Sequence, residues 1–85
     1  MRTPYFLLKF KKNMRTKSRI GVVVSMAVHK SAAKRNFWKR QAKAILRQNE
    51  DARGLDLLLI FSPKVNELTK KQFREKLGAA VKNVS

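Results

Sequence analysis

The chain has 85 residues, with 21 Lys and Arg against 5 Asp and Glu, one histidine and no cysteine, for a formal charge of +16 and a pI near 11.4. A length of this order allows one small domain, residues 1–85, that buries only about 60% of its unfolded surface. Missing cysteines exclude disulfides and thiolate metal sites and fit a reducing cytoplasm, and His29 alone cannot build a metal site.

So large a positive excess repels itself and is relieved by a polyanion, so nucleic acid is the first partner to consider and an anionic membrane surface the second. No apolar run nears the roughly 18 residues needed to cross a bilayer. The longest is Leu57–Phe61, which follows Asp56. The first residues have a basic start and an apolar middle, but Lys9 interrupts that middle and no small-residue cleavage site follows, so they read as a strand.

From Tyr5 to Lys11 the alternation of a strand puts Phe6, Leu8 and Phe10 on a core face and Tyr5, Leu7, Lys9 and Lys11 on the other. After the polar stretch NMRTKS, the β-branched run RIGVVVS at 19–25 reads as a strand buried on both faces, pairing with the first as a hairpin. A short link, MAVHK, leads into a helix from about Ser31 to Gln48, and NEDARG supplies the glycine-containing loop that ends it. Leu55–Phe61 is almost wholly apolar and stops before Pro63, which cannot continue a central strand. The last helix starts at Thr69 or nearby: Thr69 and Gln72 stand at capping-box spacing, Leu68 and Phe73 form a hydrophobic staple, and Phe73, Leu77 and Val81 make a stripe. Residues 82–85 read as a frayed tail.

The order β-β-α-β-α implies an α+β two-layer sandwich with helices on one sheet face. The segment 19–61 makes a right-handed crossover if its strands are parallel and adjacent. The other sheet face can stay open and display Tyr5, Leu7 and Lys9, an aromatic flanked by cations that suits an unpaired strand.

The helix at 31–48 carries the strongest functional signal. At about 100° per residue, Trp38, Ala42 and Ile45 point one way, while Asn36, Arg40, Lys43 and Arg47 fall within roughly 60° of arc on the opposite side. An amide among guanidinium and ammonium groups on one ridge fits a sugar-phosphate backbone better than a small-molecule pocket. Trp38 belongs to the packing stripe, whereas Phe37, about 100° away, is open to packing or stacking. No catalytic residue is expected. His29 lacks a partnering nucleophile or orienting carboxylate, and Glu50, Asp51 and Asp56 fit loop and capping roles.

The strand RIGVVVS, the link MAVHK, then KRN at 34–36 with Lys39, Arg40 and Lys43, and later LDLLLIFSP and the capped helix from Leu68, resemble in order and motif the bacterial protein component of ribonuclease P. The resemblance runs from residue 5 to residue 81. It implies a ribosomal S5 domain 2-like sandwich in which Arg35, Asn36, Lys39, Arg40 and Lys43 contact the ribonuclease P RNA, and an open sheet face, here Tyr5, Leu7 and Lys9, that binds the 5′ leader of precursor tRNA. Arg47 joins the RNA-binding set on helical geometry. The resemblance also implies a monomer within a ribonucleoprotein, with no membrane partner, no cofactor bound by the protein alone, and Mg²⁺ held by the catalytic RNA.

Three departures from the family pattern stand out. Phe37 replaces a usual arginine, and His29 replaces a usual glycine, which strains the backbone if φ there is positive. The chain starts almost at the strand, without the basic helix that precedes it in the family, so either the true start lies upstream of Met1 or that helix has been lost. The alternative function is that of a structural RNA-binding module such as a small ribosomal protein. A cationic surface-active protein, lying on anionic lipid through helix 31–48, ranks lower.

Overall fold

The computed structural model describes residues 1–13 and 19–84. Strands β1 (Phe6–Lys12), β2 (Arg19–Val23) and β3 (Leu55–Phe61) form one sheet, and helices α1 (Ala32–Gln48) and α2 (Lys70–Val84) pack on one face of it. The architecture is the expected α+β sandwich in the order β-β-α-β-α.

The strand order differs from the expected one. β3 lies in the centre, antiparallel to β1 and parallel to β2, so the first two strands flank it and do not form a hairpin. The physical reason is composition. β3 is apolar on both faces apart from Asp56, whereas β1 carries Lys9, Lys11 and Lys12 and β2 begins at Arg19. A β1–β2 hairpin would bring the lysine-rich end of β1 against Arg19, a like-charge contact that destabilises a sheet, and charged strands are better placed at edges. β2 is likewise not buried on both faces: its outer side faces away from the helices, and Val23 is 45% exposed. Beyond Asn13, the polar connection between these strands lies outside the described residues.

The register sorts side chains into two sets. Toward the helices point Phe6 with Phe61, Leu8 with Leu59 and Val22, and Phe10 with Leu57 and Ile20. Phe10 follows the core parity but is 46% exposed, because it lies near the end of β1 beyond the helices' cover. The buried core joins Phe6, Leu8, Leu57, Leu59 and Phe61 of the sheet to Trp38, Ala42 and Leu46 of α1 and to Phe73, Leu77, Ala80 and Val81 of α2. Leu46 takes the buried place expected of Ile45, which is only half-buried. Before β1, Arg2 bridges Leu7 and the Met1 carbonyl accepts from the Leu8 N–H at 2.7 Å, so the first residues lie along the β1 edge.

Local signals fix where the helices begin. The Ser31 hydroxyl accepts from the Lys34 N–H at 3.4 Å, and the Arg35 guanidinium donates to the carbonyls of His29 and Lys30, each at 2.9 Å. His29 Nδ1 accepts from the Ser31 N–H at 3.0 Å, so this side chain helps form the turn before α1. Among the described residues only a glycine, Gly54 at φ 79°, has positive φ, and His29 brings no strain. Asn66 donates to the Val28 carbonyl at 2.6 Å and ties the same link to the turn after β3. At α2 the capping box is complete: Gln72 N–H donates to Thr69 Oγ1 at 3.1 Å, and Thr69 N–H donates to Gln72 Oε1 at 2.9 Å. The helix continues to Val84, through most of the stretch read as a frayed tail, and Val84 packs against the core.

Thr69→Ala is expected to lower stability by about 1 kcal/mol, the typical worth of an N-cap hydroxyl. Leu59→Ala, at a wholly buried central position, is expected to cost about 2–5 kcal/mol. Urea denaturation followed by Trp38 fluorescence checks both, and equal midpoints for the two variants would contradict the packing described.

Candidate nucleic-acid interface

The helix α1 presents its cations because its apolar stripe is fixed elsewhere. Trp38, Ala42 and Leu46 recur every four residues and are buried against the sheet and α2, which turns the other side of the helix to solvent. On that side Asn36, Lys39, Arg40 and Lys43 line a single shallow concavity of about 450 Å³, with Ala33 among them. Arg47 is exposed one turn further along the helix, outside this concavity. No acidic residue lies between Ala32 and Gln48, so nothing within the helix neutralises the ridge. Its first turn also lacks an acid. Lys34 and Arg35 stand instead beside the positive end of the helix dipole, which costs a few tenths of a kcal/mol or more until an anion arrives.

Arg35 differs from its neighbours. Its guanidinium is engaged with the His29 and Lys30 carbonyls, so the structure makes it a clasp at the start of α1 and separates it from the Asn36–Lys43 concavity. Phe37 is half-buried, set edge-on to Trp38 at 5.6 Å, with the Lys70 ammonium 5.0 Å from its ring centroid.

The open sheet face is a second surface. Its cross-strand rows are Leu7, Ile60 and Val23; then Lys9, Leu58 and Gly21; then Lys11, Asp56 and Arg19. The centre is apolar and one end is basic. Asp56 is held there by the Asn13 amide at 2.7 Å and faces Arg19 at 3.8 Å. A Cβ on Gly21 would come within 3.1 Å of the Leu58 side chain, so glycine keeps this floor low.

Leu7 and Lys9 lie on this face as expected, but Tyr5 does not join them. Tyr5 precedes the strand, packs against the core, and has its ring 5.2 Å from the Lys76 ammonium of α2. It belongs with the helix layer. Its displacement comes from the bend at residues 4–5, where the Thr3 hydroxyl accepts from the N–H groups of Tyr5 and Phe6 and ends the alternation.

Sequence reasoning did not single out Ala33, although it stands three residues before Asn36 on the same side of the helix. It also missed Lys70 beside Phe37, and Gly21, Val23, Leu58 and Ile60 on the open face. Those five depend on tertiary packing and strand order, for which the sequence holds no local signal.

The ribonuclease P family model matches residues 1–85. The RNase P protein from Thermotoga maritima is similar in two structures. One is 31% identical, covering 100% of this chain and 82% of that one with a TM-score of 0.86. The other, in complex with 1-(4-fluorophenyl)-2-thiourea, is 28% identical over 100% and 84%, with a TM-score of 0.86. The RNase P protein of Staphylococcus aureus shares the fold, with a TM-score of 0.86 at 20% identity over 100% of this chain and 79% of its own. Among curated proteins none matches the chain. Among the described residues no helix is long and apolar enough to cross a membrane. A sandwich with β3 at its centre, an α1 ridge free of acids and a family match from end to end agree, and the chain belongs to the ribonuclease P protein family, which serves 5′ tRNA processing in a ribonucleoprotein with RNA as its partner.

Proposed function

We propose that this chain is the non-catalytic protein subunit of a ribonuclease P, binding the catalytic RNA through α1 and the 5′ leader of precursor tRNA through the open sheet face. The observation that carries this reading is the joint concavity of Asn36, Lys39, Arg40 and Lys43 on a chain of charge +16. Guanidinium and ammonium groups bind phosphate oxygens by charge-assisted hydrogen bonds, and an amide can donate to phosphate or to a ribose hydroxyl. Arg47 extends the track by one turn.

The open face suits the leader for a different reason. Leu7, Leu58, Ile60 and Val23 offer apolar surface to unstacked bases without regard to sequence, and Lys9, Lys11 and Arg19 attract the backbone. Tyr5 is left out of this face on its placement under Lys76. In this reading the RNA holds the Mg²⁺ that activates water, while the protein screens phosphate repulsion and positions the leader. It works as one copy in the cytoplasm.

The central experiment is cleavage of precursor tRNA by a bacterial ribonuclease P RNA at low Mg²⁺, with and without this protein. Faster release of the leader at the mature 5′ end is expected; tight RNA binding without stimulation would favour a structural RNA-binding module instead. Lys39→Ala combined with Arg40→Ala is expected to weaken binding to that RNA and reduce the slope of log K against log salt by about 0.7–0.9 for each phosphate no longer neutralised. Arg35→Ala should act mainly on the fold, lowering stability by about 1 kcal/mol by removing its clasp on the turn before α1; a larger slope change than that of the double variant would reassign it to the RNA surface. Lys9→Gln is expected to weaken binding of leader-bearing precursor and leave mature tRNA unchanged, and an equal effect on both would remove the leader from this face.

A further inference from the structure

Beside the basic concavity on α1 lies another with an aromatic wall. Ser31, Ala33, Lys34, Phe37 and Arg40 line about 350 Å³, sharing Ala33 and Arg40 with the Asn36–Lys43 concavity. The space is on the scale of one nucleotide and small beside a duplex groove. Phe37 is backed edge-on by Trp38, the rings standing 78° apart, so its orientation is fixed before any ligand arrives. Lys34 and Arg40 flank it on α1, and the Lys70 ammonium lies over its ring from the neighbouring helix α2. Neither Lys34 nor Arg40 is paired with a carboxylate among the described residues.

A phenylalanine serving the core alone belongs on the buried stripe of Trp38, Ala42 and Leu46. Phe37 stands off that stripe, half-buried, at the rim of a cationic surface. A paired base keeps its π-faces inside its own stack, so an aromatic wall gains only from a base that has been splayed out. Cations on either side then meet the phosphates of the same nucleotide.

We propose that Phe37 receives an unpaired base of the RNA partner, with Lys34 and Arg40 on the phosphates that flank it, making this concavity a stacking site continuous with the phosphate track. The proposal rests on the RNA-binding reading of α1 and adds to it a single-stranded or bulged nucleotide at one defined place.

The test is a salt series of affinities for ribonuclease P RNA, with Phe37→Leu and Phe37→Tyr beside the parent protein. Phe37→Leu keeps apolar volume and removes the π-face; it is expected to raise Kd roughly tenfold with an unchanged salt slope, because every phosphate keeps its cation. Phe37→Tyr, which retains the ring, is expected to bind within about twofold of the parent. A Phe37→Leu affinity within about twofold of the parent would overturn the proposal and leave α1 binding intact. Failure of the parent to bind the RNA at all would overturn the underlying reading as well. Ultraviolet crosslinking of the parent complex, mapped by mass spectrometry, gives a result that does not depend on how the variants fold. A nucleotide adduct on Phe37 supports the site; RNA adducts confined to other residues overturn it.

Discussion

Phe73 of α2 meets Trp38 of α1 at 5.2 Å, Phe61 of β3 at 5.4 Å and Phe6 of β1 at 6.2 Å between ring centroids. Trp38 and Phe61 are themselves 5.9 Å apart. This cluster joins both helices to two strands, and edge-to-face or tilted aromatic pairs contribute about 0.5–1.5 kcal/mol each beyond the area they bury. Such a concentration matters in a chain of this length, whose core is limited and whose charge of +16 opposes compaction. No charged or polar residue is buried among the described ones, so the core carries no desolvated ion to weaken it further.

The same cluster aims the candidate surface on α1. Once Trp38 is locked between Phe61 and Phe73, the azimuth of every other α1 residue follows at about 100° per step. Asn36, Arg40 and Lys43 must then face away from the sheet, and Phe37 must sit at the margin. The cations on this ridge repel one another with no acid on the helix to offset them. Packing therefore holds together an arrangement that electrostatics alone would disperse, and a bound polyanion relieves the opposition. Affinity gained in this way falls as salt replaces the polyanion's neutralising role.

What the sequence disclosed, and what it withheld, divides along the range of the interactions involved. Ser31 as the start of α1, Leu55–Phe61 as a strand and the Thr69–Gln72 box are set by neighbours a few positions away, and the structure has them where local chemistry puts them. The position of β3 between β1 and β2 is a contest among strands, decided by which can tolerate apolar neighbours on both edges. The residue pattern within β2 cannot report that contest, and taken alone it favours a hairpin and a doubly buried strand. Arg35 and Tyr5 illustrate the same limit within the candidate sites. Helical geometry already sets Arg35 apart from the ridge, but only the folded turn supplies the carbonyls of His29 and Lys30. Tyr5 fits the strand's parity, yet the Thr3-centred bend takes it to Lys76.

The two proposed surfaces lie on opposite layers, since α1 packs against one face of the sheet and Leu7, Lys9 and Leu58 occupy the other. The backbone measures 19 Å along its shortest axis, so RNA segments seated on both surfaces as proposed would lie about two Debye lengths apart at 0.1 M salt. Free in solution, two phosphate chains brought together for reaction need closely bound cations between them. A thin sandwich with fixed cations on both sides would meet that need differently under the proposed binding mode: each chain would be neutralised where it touches protein, and the apolar core between them would set the spacing. On the proposed reading, a lower requirement for divalent cations then follows from thickness and charge placement.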